Sequence, residues 1–333
     1  MSPAGSIERR WYQNRPPAWW SVPLAGLYGA VVHIRRFAYR LGWLRSEHLP
    51  LPVIVVGNIT AGGAGKTPLV IALVEALRER GLRPGVVSRG YGGNAQTPML
   101  LDDAPDPHVV GDEPALIRMR TRAPVAVGRD RPEAARLLPQ RDIDVIVADD
   151  GLQHYALARD VEICVIDGVR GFGNGRLLPA GPLREPASRL REVDFVIRNG
   201  GEASGGEVPM RLRAEQAYSL RDPVQRKPLA SFIGTRVHAI AGIAHPARFF
   251  GMLRGLGIEA IGHAFPDHHV YAAKDIEFGD ELPVLMTEKD AVKCRAFARG
   301  EEWAVPVDAV LPASLFDAIA AKLGEKFAPP RSV

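Results

Sequence analysis

Gly62, Gly63, Gly65, Lys66 and Thr67 fall within six residues of one another, and residues of these types at this spacing can hold a phosphate tail. Glycines let backbone N–H groups converge on an anion, a lysine adds charge, and a threonine hydroxyl can ligate magnesium. The surrounding stretch, Pro52 to Leu69, reads PVIVVGNITAGGAGKTPL. Val53 to Val56 are all β-branched and predict a short buried strand, whereas Leu69 to Leu77 space their apolar residues helically, so the glycines must turn between strand and helix. Pro68 is tolerated because the first helical turn leaves its N–H groups unbonded. Thr60 stands where the strict pattern G-x-x-x-x-G-K-[ST] has glycine, and Ala64 fills the last variable position. A glycine-rich surface loop is the plain alternative.

Other chemistry-bearing residues cluster at the ends of apolar runs. Asp149 and Asp150 follow DVIVA, so a buried strand delivers two carboxylates to the edge that carries the glycine turn, where a nucleotide-bound magnesium usually finds a ligand. An Asp-Asp-Gly turn is the alternative. Asp112 lies in GDEP ahead of the helical run Ala115 to Met119, and could be only a cap with an acidic first turn. Ser88 to Gly93 (SRGYGG) ends another strand with Arg89, Tyr91 and three glycines. Gly128 to Arg131 and Pro182 to Glu185 carry further arginines that could grip an anion bidentately.

The elements that must position these groups alternate. Apolar strands are expected at Gly85 to Ser88, Pro124 to Val127, Ile143 to Ala148, Val161 to Ile166 and Asp194 to Ile197, with helical patterns between them. The fold class is therefore α/β, a mostly parallel sheet flanked by helices, with ligands gathered at the carboxyl ends of its strands. Gly200 to Gly206 (GGEASGG) is a linker, and residues 206–311 read as a smaller α/β domain following a nucleotide domain at 51–205, to which 312–328 can return. Val208 to Leu212 and Trp303 to Val310 are expected to pair as a two-stranded connection. TEKD (Thr287 to Asp290) is not the guanine-reading N-K-x-D, because its lysine comes one place late.

Residues 1–50 hold seven arginines against two glutamates, a balance of +5 in a chain of net +4, so the basic excess is local and a nucleic-acid groove spread over the fold is excluded. Trp19 to Leu44 is apolar, aromatic and arginine-punctuated. Its uncharged stretch, Ala18 to Ile34, is 17 residues with Pro23 and His33, at the lower limit for a bilayer span. Burying Arg35 or Arg36 at mid-membrane costs about 2.5 to 3.5 kcal/mol each, whereas a basic residue near an anionic surface gains about 1 kcal/mol. A surface-lying helix is therefore expected, with Leu27, Tyr28, Val31, Ile34 and Ala38 on its apolar face and His33, Arg36 and Arg40 pointing away. A helix simply packed on the domain is the alternative. Two cysteines, Cys164 and Cys294, have no disulfide or metal spacing and fit a reducing compartment.

VGNITAGGAGKTP, VSRGYGG, GDEP, ADDGLQH, LPAGPLRE, FPDHH and TEKD, in this order from about residue 15 to about residue 310, make the chain resemble the tetraacyldisaccharide 4'-kinase family of lipid A biosynthesis. That family also carries threonine at the position of Thr60. The resemblance implies transfer of the ATP γ-phosphate to the 4'-hydroxyl of a tetraacyldisaccharide 1-phosphate, with ATP and Mg2+ as cofactors. It assigns Lys66 and Thr67, with Thr60, Gly62, Gly63, Ala64 and Gly65, to the ATP phosphates, and Thr67, Asp149 and Asp150 to the metal. Asp112 would be the base or part of it, assisted by His268. Arg89, Tyr91, Arg131, Gln153, His154, Arg184 and Glu185 would line the nucleotide and sugar-phosphate site. Catalysis would require the second domain, carrying His268, to close over the first. It further implies a monomer docked peripherally on anionic lipid at the cytoplasmic face of the bacterial inner membrane, meeting a membrane-embedded substrate. A membrane-recruited regulatory NTPase without a phosphoryl acceptor is the rival, sharing the cradle but needing neither FPDHH nor the arginine-rich loops; a soluble sugar kinase is a third.

Overall fold

The strand ahead of the glycine turn is buried on both faces, and this sets the architecture. β1 (Val53–Gly57) has Ile54 and Val56 packed into one hydrophobic core and Val53 and Val55 into another. Each such side chain stabilises the fold by about 1.5 to 3 kcal/mol on burial, so an uninterrupted apolar strand belongs at the centre of a sheet covered on both sides. The computed structural model describes residues 10–13 and 15–327. Residues 1–9 and Asn14 of the basic N-terminal segment, and residue 328 of the returning segment, lie outside the described residues.

β1 runs parallel between β5 (Val145–Asp149) and β6 (Val161–Asp167), with Val56 level with Asp149 on one side and Ile163 on the other. β2 (Pro84–Ser88), β3 (Met99–Leu100) and β4 (Val125–Val127) extend the sheet beyond β5, and β7 (Phe195–Asn199) and β8 (Val208–Arg213) extend it beyond β6. The chain thus passes from β1 to one side and later to the other, which opens a crevice at the carboxyl ends of β1, β5 and β6. Helix α1 (Ser21–Arg40) lies on the outside of this domain. α2 (Lys66–Glu79) and α3 (Asp112–Thr121) contribute Leu69, Leu73 and Ile117 to the core that holds Ile54.

A second sheet is formed by β9 (Gln216–Ser219), β10 (Arg226–Pro228), β11 (Arg236–Ala241), β12 (Glu259–Ala264), β13 (Val284–Thr287) and β14 (Glu302–Val305). Its core gathers Trp303, Phe232, Phe249 and Phe250. Helices α4 (Pro246–Gly255) and α5 (Glu288–Cys294) connect its strands. The two segments expected to pair do so, Leu212 with Ala309 and Arg211 with Val310, but as part of a larger sheet and not as an isolated two-stranded connection. β8 pairs parallel with β7 and antiparallel with β15 (Asp308–Val310), so both belong to the edge of the large sheet, while only 302–305 of the later segment lies in the small one. The cause is hydrogen-bond demand at exposed sheet edges: β8 covers the edge of β7, and β15 covers the outer edge of β8. Helix α6 (Ala313–Phe327) then returns to α2, burying Leu315, Ile319 and Leu323 in the same core and pairing Asp317 with Arg80 at 2.6 Å.

α1 has its faces reversed relative to an ordinary packed helix. Ser21, Ala25 and Arg36 are its buried residues, whereas Leu24, Leu27, Val31 and Ile34 are 47%, 64%, 56% and 67% exposed. Trp19, Trp20, Phe37, Leu41 and Trp43 continue the outward apolar surface. Arg36 points away from the apolar stripe, and what it points into is protein: Glu192 at 2.7 Å and Glu185 at 3.7 Å. Tyr28, expected on the outer face, instead donates its hydroxyl proton to the Arg184 carbonyl at 3.0 Å. Among the described residues no helix is long and apolar enough to cross a membrane.

Candidate functional site

The glycine turn is shaped for an anion by its backbone. Gly65, with φ +95°, is the residue that caps α2, and a Cβ there would meet Asn199 Nδ2 at 2.4 Å. Only glycine satisfies both constraints. Asn199, the last residue of β7, donates to the Ala64 carbonyl at 3.0 Å and so holds the turn from below. Asn58 donates to the Gly62 carbonyl at 3.2 Å, and Lys66 Nζ stands 3.4 Å from Asn58 Oδ1 and 3.3 Å from Asp150 Oδ1. Thr60 is bridged to Leu183, with Ala61 N donating to Pro182 O and Arg184 N to Ile59 O, each at 2.7 Å. A side chain at position 60 is accommodated because this neighbouring loop, not a tight glycine bend, completes the wall.

The two carboxylates after β5 differ. Asp149 is 1% exposed; burial, with Glu113 and Asp150 as like charges nearby, pushes it up to about 7. Its Oδ2 accepts from Ser88 Oγ at 3.1 Å, and its Oδ1 is buried without a hydrogen-bond partner. Asp150 has φ +48°, and although burial opposes its charge, Lys66 and Arg184 hold it below the usual carboxylate range. Arg184 Nη1 lies 3.3 Å from both of its oxygens.

On the other side of the cleft, Asp112 occupies the first turn of α3 and makes no cap; Gly111, with φ +90°, is the capping residue. Asp112 is 4% exposed, its Oδ1 3.1 Å from His268 Nδ1 and its Oδ2 3.6 and 3.7 Å from the ammonium groups of Lys293 and Lys289. Burial would raise its pKa, but the hydrogen bond to His268 and the two lysines take it down to about 2. His268 is raised in turn, chiefly by that hydrogen bond. It sits at φ +60°, its ring centroid 4.9 Å from that of Tyr91, against Gly92, where a Cβ would press on Nδ1 at 2.9 Å. Lys289 also reaches Glu113 at 3.2 Å and Asp267 at 3.1 Å, so it ties the two domains together. On the opposite lip Arg248 of α4 donates to Asp167, at the end of β6, at 2.5 Å.

These groups open into one cavity of about 1200 Å³. Lys66, Thr67, Asp150 and Arg184 line it, as do Arg89, Tyr91, Gln153 and Glu185. His268, Lys289, Phe249 and Met252 line it from the small domain, and Tyr28 and Arg36 of α1 line it as well.

Two residues expected to line the site do not. Arg131 is 2% exposed and donates to the carbonyls of Gly128, Asp149 and Asp150 at 3.1 to 3.5 Å, bracing the carboxylate turn from behind. Burial lowers it to about 10, so it stays cationic at neutral pH. His154, pulled down to about 4 by burial and by Arg131, is neutral and turned into the protein. Arg131 opens a short helix (Arg131–Arg136) and His154 lies in a turn, and spacing alone does not resolve which way either side chain faces. Conversely, Asn58, Asn199 and Lys289 escaped the sequence reading; a polar residue ending an apolar strand, as Asn199 does, was the available signal.

A sequence model of the family described as Tetraacyldisaccharide-1-P 4'-kinase matches residues 17–324. A tetraacyldisaccharide 4'-kinase of Nitrosococcus oceani is 53% identical over 310 residues, covering 92% of this chain and 91% of its own. One from Xanthomonas campestris pv. campestris is 53% identical over 326 residues, covering 92% of each. The crystal structure of an "apo" form of LpxK from Aquifex aeolicus in complex with ATP superposes with a TM-score of 0.77 at 28% identity, covering 91% of this chain and 98% of that one.

Proposed function

The chain belongs to the tetraacyldisaccharide 4'-kinase family, and from that premise we infer how its residues transfer the γ-phosphate of ATP to the 4'-hydroxyl of a tetraacyldisaccharide 1-phosphate in lipid A biosynthesis. The observation that carries the reading is His268, backed by the buried Asp112 and lining the same cavity as Lys66. A sugar hydroxyl has a pKa far above 7, and a positioned acceptor for its proton contributes typically 10²- to 10⁴-fold. Asp112, kept ionised by its hydrogen bond with His268 and by its lysines, accepts a hydrogen bond from Nδ1–H of a neutral His268, which fixes the tautomer that leaves Nε2 as the basic nitrogen, the division of labour seen in hydrolase triads.

Lys66 holds Asp150 and Asn58 before nucleotide arrives, and on binding it turns to the β- and γ-phosphate oxygens. Arg184 then balances Asp150. Mg2+ fits the donor set of Asp149 and Thr67: Asp149 Oδ1 is buried without a hydrogen-bond partner, and a bound cation would supply the counter-charge that its raised pKa shows it lacks. When bound, the ion neutralises charge on the transferring group. Asp150 is the second candidate ligand once Lys66 has released it.

The outward stripe of α1 supports docking on a lipid surface, with Arg35 and Arg40 at the headgroup level. The acylated disaccharide would reach the cavity past Tyr28 and Arg36 while its acyl chains stay in the bilayer. An ATP donor and two free cysteines fit the cytoplasmic face of the inner membrane. γ-labelled ATP tests the reading: label is expected on the lipid only when tetraacyldisaccharide 1-phosphate is supplied, and acceptor-independent phosphate release as the sole product would overturn it. Combined Leu27→Ser, Val31→Ser and Ile34→Ser substitutions should abolish flotation with anionic vesicles; unchanged flotation would remove the surface assignment.

A further inference from the structure

The helix with the outward apolar stripe is built into the phosphate site through two separate chains of contacts. Arg36, 8% exposed, lies 3.7 Å from Glu185, whose side chain is 1% exposed. Glu185 accepts from Gln153 Nε2 at 2.9 Å, and from the Tyr155 hydroxyl. The same Gln153 nitrogen donates to the Asn58 carbonyl at 2.9 Å, and the Asn58 side chain holds the Gly62 carbonyl and Lys66. In the second chain, Tyr28 donates to the carbonyl of Arg184, Arg184 grips both oxygens of Asp150, and Asp150 pairs with Lys66. Both chains start on α1 and end on one ammonium group.

We propose that Tyr28 and Arg36 are positioning residues of the phosphoryl-transfer site, so that α1 sets the Arg184–Glu185 loop and through it the poise of Lys66, beyond any part it has in lipid docking. This rests on the kinase reading above. A buried carboxylate is costly without a nearby cation, and Arg36 is the cation that the helix brings to Glu185. A Glu185 that swung away without Arg36 would release Gln153 Nε2, and the Asn58 carbonyl would lose its fixed donor. A helix lifted from the domain would therefore slacken the cradle, making turnover depend on the seating of α1.

Glu192 makes the idea separable from simple anchoring. It pairs with Arg36 at 2.7 Å and with Arg40 at 2.6 Å, yet it lies outside both chains. The test uses the full chain, tetraacyldisaccharide 1-phosphate in detergent micelles so that no bilayer is involved, and separate determination of kcat, KM for ATP and KM for lipid. Arg36→Met should lower kcat or raise KM for ATP by about tenfold, Arg36→Lys should recover part of the loss, and Tyr28→Phe, which removes one hydroxyl, should cost about threefold. Glu192→Gln, which weakens anchoring alone, should change neither by more than about twofold. In a double-mutant cycle, Arg36→Met and Glu185→Gln together should cost little more than either alone. If Arg36→Met and Tyr28→Phe keep wild-type ATP parameters, or if Glu192→Gln reproduces their defect, the positioning role is overturned. Should Arg36→Met fail to fold, Tyr28→Phe and the Glu192→Gln comparison decide. Wild-type protein that transfers no phosphate to lipid would instead refute the kinase reading itself.

Discussion

The phosphate cradle and the Asp112–His268 pair are built on opposite principles. The cradle is local: residues 57–67 join one strand to one helix, and its shape comes from backbone conformation at Gly62 and Gly65, both at positive φ. The pair is assembled from residues 156 apart, one at the start of a large-domain helix and one on a small-domain loop at φ +60°, and is held by side-chain charge. The cradle therefore lies within one domain, whereas the Asp112–His268 contact needs both. Lys289, touching Asp112, Glu113 and Asp267, is the electrostatic seam between the two arrangements.

The largest expected break in this comparison is Lys66→Ala, which removes charge from the transferring group and should lower single-turnover phosphoryl transfer by about 10³-fold. Transfer within tenfold of wild type would mean that the cradle does not face the γ-phosphate. Gly65→Ala attacks the cradle's backbone alone. A side chain at φ +95° that also strikes Asn199 stores about 1 to 3 kcal/mol of strain, so ATP binding measured calorimetrically should weaken roughly tenfold to a hundredfold. Asn199→Ala, which makes room for the new methyl, should recover less than all of it.

Lys289→Met sharpens the other side and has the smallest effect. Lys289 pulls the pKa of His268 down while Asp112 pulls it up, and the net shift is upward. Transfer that needs neutral His268 is lost as pH falls through this raised pKa, so the acidic limb of kcat/KM should lie above about 6.5, the ordinary histidine value. Removing the ammonium should move that limb to still higher pH. A shift to lower pH, or none, would deny Lys289 its place beside the pair.

Legibility in the sequence followed the same division. The strand, turn and helix of the cradle could be read because every determinant lies within 25 residues, and the parallel strands because each is a short β-branched run. Arg131 and His154 were not readable, since whether a side chain just past a strand faces the crevice or the protein depends on what packs behind it. Arg36 shows the same limit: its position opposite the apolar stripe was evident, but the Glu185 and Glu192 carboxylates waiting there come from a loop some 150 residues away. The pairing of β8 with β7 as well as β15 was hidden because edge strands take whichever partner leaves fewest backbone groups unbonded.

The most direct test measures ATP affinity and single-turnover transfer together in Asp112→Ala, His268→Ala and the double variant. Unchanged ATP affinity is expected in all three, with transfer reduced about 10²- to 10⁴-fold in each single variant and little further in the double. Near-normal transfer, or losses that multiply in the double variant, would contradict a proton acceptor made of these two residues acting as one.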